Sequence, residues 1–243
     1  MPAPEVALVL AAHGDRGSAA RNAVLCRHAS SLKDKFRSVS FGVLNGEPRL
    51  GDALAEAECT DASLIVVYPF FMSGGYFVSV KLAREIERAK LAKTATVLPP
   101  LGHDPALPPL LLEHSVGIAK AAAYDPAVTR LLIAGHGSKF GRASAEATEA
   151  AAEAVRRASP FAKVATAFLE EPPFLADMLQ TEKMPAVVAG FFSGEGMHGH
   201  DDVPQIMEKS GVPCIYTRPI GSHPQIPMLI EAAVRKAIDH LLL

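Results

Sequence analysis

Histidine and carboxylate side chains recur just past short apolar runs in the second half of this 243-residue chain. His136 follows one run in LLIAGHGSKFG, Glu170 closes another in ATAFLEEPP, and His198 and His200 lie beyond a third in FFSGEGMHGHDDVP. Two imidazoles and a carboxylate suit a divalent first-row metal, with imidazole favouring Co, Fe, Ni or Zn. A site that must release its metal is expected to keep an open coordination position. Histidine also titrates near neutrality, so the same residue types can accept protons.

These groups meet only if the runs that carry them are neighbouring parallel strands. Apolar runs at 6–12, 39–44, 63–68, 95–98, 129–134, 163–169, 186–192 and 213–216 alternate with helical patterns, among them 18–35, 78–91, 142–158 and 224–241. Such alternation implies parallel sheets with helices on both faces. The pattern also repeats. PLGHDPALPPLL from Pro100 matches PIGSHPQIPMLI from Pro219, VLAAHGDRG around His13 matches LIAGHGSKFG around His136, and VVYPFFMSGG matches VVAGFFSGEG with Phe71 facing Phe192. Three segments in one order at nearly constant offset mark a duplication. The expected fold is α/β, two tandem doubly wound four-stranded parallel-sheet domains spanning 1–124 and 125–243. Strand order 2-1-3-4 in each puts strands 1, 2 and 3 side by side, with their carboxyl ends at the topological switch point where open α/β sheets bind ligands.

The first half offers a weaker set at matching places: His13, then Asn45 where the second half has Glu170, then Phe77 where it has His198. The chemistry is therefore expected in the second half. His13 either lines the pocket or is a relic bonded to its own loop. His198 is favoured over His200 by motif spacing, although Gly199 between them gives the loop freedom.

The HG(S/D) turn, the FLE segment and the stretch from Gly196-Met197-His198 through Asp202-Val203-Pro204 resemble the class II chelatases, and within them the CbiX-like sirohydrochlorin chelatases of cobalamin and siroheme synthesis. The resemblance covers both halves. It implies a chelatase-like fold and ATP-independent insertion of Co²⁺, or of Fe²⁺ in siroheme branches, into sirohydrochlorin; Ni²⁺ is a further candidate. Carried over by motif, the metal-binding histidines fall on His136 and His198 and the acidic partner on Glu170, which would orient a histidine, bind metal or pass protons outward. The tetrapyrrole is expected between the two halves. Ser138, Lys139 and Arg142, with Arg16 and Arg21 opposite, are candidate clamps for its carboxylates, since helix-opening amides favour anions and arginine binds carboxylate bidentately. Asn45 and Phe77 depart from the family pattern, which puts a second active site in doubt.

Composition narrows the alternatives. A net charge of −2 with no basic block argues against nucleic acid. Cys26, Cys59 and Cys214 form no CxxC pattern, so a disulfide framework is not expected and a reducing cytoplasm fits. The opening MPAPEVALVLAAHGDRG lacks a basic n-region and no apolar run is long enough to span a bilayer, so neither a signal peptide nor a membrane partner is expected. No organic cofactor is implied, and a duplicated chain is expected to work as a monomer. A non-catalytic metal or tetrapyrrole carrier would share the histidines without needing a proton acceptor. A generic hydrolase lacks a GxSxG elbow. Among the remaining groups, His103 and His223 read as turn residues, His28, His114 and His240 as surface groups of helices, and Glu171 as solvated. Phe70, Phe71, Met72, Phe191 and Phe192 are either ordinary core and rim or flanks for a flat macrocycle.

Overall fold

A computed structural model describes residues 5–14, 22–91, 95–194, 196 and 198–241, and the side chains of His198, His200 and Leu241 lie outside that description. The strands are β1 (Val6–Ala12), β2 (Ser38–Val43), β3 (Leu64–Pro69), β4 (Ala95–Val97), β5 (Arg130–Gly135), β6 (Lys163–Phe168), β7 (Ala186–Gly190) and β8 (Cys214–Pro219). They form two four-stranded sheets, β2-β1-β3-β4 and β6-β5-β7-β8, with every pairing parallel. The expected doubly wound order is thus present twice. The central strands explain why the apolar runs were readable: β5 and β7 are buried at every position and β1 at all but its last. A strand covered by helices on both faces can carry a continuous apolar run.

The helices are α1 (Ala23–Leu32), α2 (Leu50–Glu58), α3 (Ala83–Arg88), α4 (Leu107–Ala121), α5 (Ala143–Arg156), α6 (Leu175–Thr181), α7 (Val203–Ser210) and α8 (Ile226–Leu241). All but α3, which buries Ile86 alone, bury residues at helical spacing. In α2 the stripe is Leu50, Ala53, Leu54 and Ala57; in α5 it includes Thr148, Ala151, Ala152 and Val155. In α1 it is Leu25, His28, Ala29 and Leu32, which corrects the expectation that His28 is a surface group. Its imidazole stands edge-on to Phe70 at 5.6 Å between ring centroids, and the stripe position, not the residue type, decided its burial. Phe70, Phe71, Phe191 and Phe192 are buried core residues.

Packing does not follow the repeat. One compact unit comprises Met1–Asp104 with Pro224–Leu243, and the other Pro105–His223. Helix α4 follows the first four strands in sequence but packs on α5, β7 and β8, while α8 packs on α1 and β3. The boundary expected at 124/125 divides the sequence duplication; the compact units exchange their last helices across it. The stripe of α8, Ile226, Ile230 and Val234, is buried in the first unit. A fragment ending at residue 124 would leave the face of the first sheet that α8 covers open to water. It is expected to lack a cooperative thermal transition by circular dichroism, and a sharp native-like transition would contradict this packing account.

The repeated proline-glycine turn has a steric reason. A Cβ on Gly102 would sit 1.9 Å from the Met72 carbonyl oxygen, and one on Gly221 would sit 2.1 Å from that of Ser193. Glycine at both places lets the turn after the fourth strand touch the loop after the third. No described helix is long and apolar enough to cross a membrane. The three cysteines are free thiols.

Candidate metal centre

In the second unit the register of β5 and β6 ends with Gly135 opposite Phe168. His136 and Glu170 therefore emerge from adjacent strand ends, and the Glu170 N–H donates to the His136 carbonyl at 3.0 Å. The first unit makes the same bond, Asn45 N–H to the His13 carbonyl, also at 3.0 Å. Two glycines permit this approach. Gly137 has φ +73° and a Cβ there would lie 2.9 Å from Glu171 Cγ; Gly14 has φ +100° and its Cβ would lie 2.1 Å from the Asn45 carbonyl oxygen. The glycine of each HG pair thus supplies both a left-handed turn and contact between the two loops.

His136 is half-buried. Its Nδ1 lies 2.9 Å from the Gly137 carbonyl, which can only accept, so Nδ1 is the donor of this bond and the neutral form of the ring has its lone pair on Nε2. A backbone carbonyl on one ring nitrogen is the usual way a protein fixes the tautomer of a metal-binding or proton-accepting imidazole.

Glu171 is not simply solvated, which corrects the sequence expectation. Its Oε1 accepts the Ser138 N–H at 2.9 Å, its Oε2 lies 3.9 Å from Arg142, and its side chain is 14% exposed. It ties the turn after β5 to the loop after β6. Ser138 Oγ accepts from the Phe140 N–H at 3.1 Å. Arg142 donates to Glu149 at 2.9 Å, and that carboxylate holds its guanidinium above the usual arginine range. As a clamp for a substrate carboxylate, Arg142 would have to exchange Glu149. Lys139 is exposed.

After β7, residues His198–Asp202 form a π-helical turn leading into α7. The first unit repeats it with Phe77–Leu82 leading into α3. Single π turns inside helices are frequent at functional positions. Gly199 is not there for freedom: it is buried, and a Cβ would lie 2.7 Å from Pro219 Cγ, so it seats the turn against the end of β8. The His198 and His200 side chains fall outside the described residues, as do Arg16 and Arg21 entirely. Among described residues no group of three His, Cys, Asp or Glu could hold a metal ion.

The first unit shows where the counterparts of His136 and His198 stand. His13 meets Phe77 edge-on, ring centroids 4.3 Å apart at 79°. The loops after the first and third strands thus bring their side chains together in that unit, with an aromatic ring where the second half has an imidazole.

One further histidine pair went unread in the sequence. His114, on α4, was expected at the surface, but it is half-buried with Nε2 3.0 Å from the Thr217 carbonyl and its ring 4.8 Å from that of His223. Burial, then the neighbouring His114, holds the His223 imidazole below the usual histidine range. Both lie in one compact unit because α4 crosses into it. His103 and His223 do sit at turns, and His240 is exposed.

Comparison with known proteins is consistent along almost the whole length. The sequence model of the CbiX family matches residues 7–116 and 130–237. A protein of Halobacterium salinarum named "Probable sirohydrochlorin cobaltochelatase" is 22% identical over 226 residues, covering 82% of this chain and 75% of that one. The solved structure of CbiX, "the terminal Enzyme for Biosynthesis of Siroheme in Denitrifying Bacteria", is 30% identical with a TM-score of 0.77, covering 95% of this chain and 98% of that chain. SirB from Bacillus subtilis with Fe3+ shares the fold at 16% identity and a TM-score of 0.78, covering 95% of this chain and 94% of its own.

Proposed function

Because the chain belongs to the CbiX family, matched in both of its halves, we propose that it is a lyase that inserts a divalent metal ion into sirohydrochlorin without ATP. The observation that carries this reading is the bond between the Glu170 N–H and the His136 carbonyl, with a His136 tautomer that keeps a lone pair on Nε2. A carboxylate and a ligating imidazole then stand at one switch point, and His198 follows from the third strand of the same sheet. The pairing of His13 with Phe77 supports placing His136 and His198 within reach of a shared ion.

Insertion of M²⁺ releases two pyrrole N–H protons. His136 and His198 hold the incoming metal and accept those protons as it enters the ring, and Glu170 receives them or orients the imidazoles. Lys139 and Ser138 face the substrate carboxylates, joined by Arg142 once it exchanges Glu149. The substrates are the tetrapyrrole and the ion, with no organic cofactor, in a cytoplasmic monomer.

Co²⁺ is the proposed metal, in line with the halobacterial relative's name. Fe²⁺ is the second reading, favoured by the siroheme enzyme at 30% identity. Imidazole and carboxylate do not separate the two, because selection rests on geometry and supply. Anaerobic absorbance of sirohydrochlorin with the purified protein, adding Co²⁺ and Fe²⁺ in separate runs, is expected to show metallation faster than the metal-only control. The faster ion identifies the branch. Tight tetrapyrrole binding with no acceleration by either ion would reject the enzyme and leave a carrier.

A further inference from the structure

The first unit holds a groove of about 240 Å³ at the carboxyl end of its sheet, where the second unit's sequence carries the ligand set. Its apolar wall is Leu44 and Phe77; its polar wall is Asn45, Lys81, Arg84, Glu85 and Arg88. Phe77 and Asn45 are the two residues that replace His198 and Glu170 of the second half. The rest of the lining comes from the π turn and α3, whose counterparts are fixed by an offset of 121 residues. Leu82 and Val203 are both buried, as are Ile86 and Met207. Lys90 and Gly211, which end the two helices, have φ of 60° and 64°.

In that alignment Lys81 stands for Asp202, Arg84 for Gln205, Glu85 for Ile206 and Arg88 for Lys209. The half that lost a carboxylate and an imidazole has gained cations at the same corner. Glu85 is the only carboxylate among the described lining residues and pairs with Arg88 at 2.5 Å. Lys81 approaches the Tyr76 ring at 5.9 Å, and neither it nor Arg84 has a carboxylate partner among the described residues. A cavity whose described lining carries three cations to one carboxylate, with an amide and an aromatic wall, favours a carboxylate on a short hydrocarbon stem. Its volume is too small for a macrocycle.

We infer that the degenerate half has exchanged metal binding for anion recognition, and that the groove lined by Asn45, Phe77, Lys81 and Arg84 takes an alkyl carboxylate. Building on the chelatase reading, a carboxylate arm of a tetrapyrrole and a free polycarboxylate acting as effector share this chemistry, and the test separates them.

The test uses the full chain, a Lys81→Gln/Arg84→Gln variant and the charge-conserving Lys81→Arg/Arg84→Lys. Binding of metal-free sirohydrochlorin is followed by fluorescence, metal insertion by absorbance, and thermal stability with and without citrate. The neutral variant is expected to bind sirohydrochlorin about tenfold more weakly, with KM raised by the same factor and kcat within about twofold, while the charged variant stays near wild type. If sirohydrochlorin binding is unchanged but citrate stabilises wild type and not the neutral variant, the groove serves a free anion. Neutral and wild-type protein alike in tetrapyrrole binding, with no citrate stabilisation of either, would overturn the inference. Weakened tetrapyrrole binding in a protein that accelerates no metal would uphold the groove while removing the chelatase.

Discussion

Replacing His136 with alanine is expected to lower kcat for metal insertion by about a hundredfold or more, the range for losing a positioned proton acceptor. The fold should survive. His136 lies past the end of β5 and is half-buried, and the bond it loses from Nδ1 runs to the carbonyl of the next residue. One such bond contributes about 1 kcal/mol. The duplication supplies a matched control. His13 occupies the same turn in the first half, with the same backbone bond from the second-strand loop, but its ring faces Phe77. His13→Ala should leave turnover within about threefold, because only a pocket wall is altered. Steady-state metallation by both variants, with circular dichroism to confirm folding, reads the difference. His136→Ala at wild-type turnover would remove the assignment, and a collapse confined to His13→Ala would move the active centre to the first half.

Why the strand ends could be read, and much around them could not, follows from what a linear pattern encodes. Central strands buried on both faces stand out as unbroken apolar runs, and register fixes the positions just past them, so the sequence sets His136 and Glu170 at adjacent strand ends. An amphipathic stripe says that a helix face is covered, not by which sheet. The exchange of α4 and α8 between units was therefore invisible, and with it the meeting of His114 and His223. His28 was legible but missed, since Leu25, His28, Ala29 and Leu32 keep helical spacing and a polar residue on such a stripe is buried with it. Glu171, expected to be solvated, receives the Ser138 amide only through the turn geometry. The cations of the third helix carry no signal of their own in the sequence; their meaning needs the counterpart residues of α7 and the groove beside Asn45. Gly199 shows the limit of composition: glycine suggested freedom where contact with Pro219 requires the missing Cβ.

The largest stability effect is expected at Arg130, a charged residue placed inside a central strand. Its side chain is 1% exposed, and it donates to the carbonyls of Met178 at 2.7 Å, Leu179 at 2.9 Å and Glu182 at 2.8 Å. These acceptors close the end of α6, a seven-residue helix for which no backbone capping bond is seen among the described residues; Met178 also accepts from the Thr181 hydroxyl at 3.2 Å. The corresponding helix α2 caps itself, the Cys59 N–H bonding to Ala55 and Ala57, and the residue matching Arg130 is Ala7. The guanidinium thus replaces a backbone cap and suits the negative end of the helix dipole. Burial lowers its pKa from the usual arginine range, and the nearby Glu182 acts in the opposite direction. Arg130→Met keeps most of the stem volume but strands the Leu179 and Glu182 carbonyls, at roughly 1–3 kcal/mol each, and leaves Met178 with the Thr181 hydroxyl alone; the loss is partly offset because a buried cation no longer has to be desolvated. A net loss of about 3 kcal/mol is expected in chemical denaturation. Arg130→Lys, which cannot span all three carbonyls, should fall between. The acid limb should change little. Glu182 is held below its usual carboxylate range first by its hydrogen bond to Lys163 and only lastly by Arg130, so that stabilisation, present above the unfolded carboxylate pKa and lost as pH falls through the folded one, persists in the variant. Turnover per folded molecule should persist too, because α6 is held at the end remote from Glu170. An Arg130→Met protein as stable as wild type would mean that water caps α6 equally well, and that the buried charge is incidental to the fold.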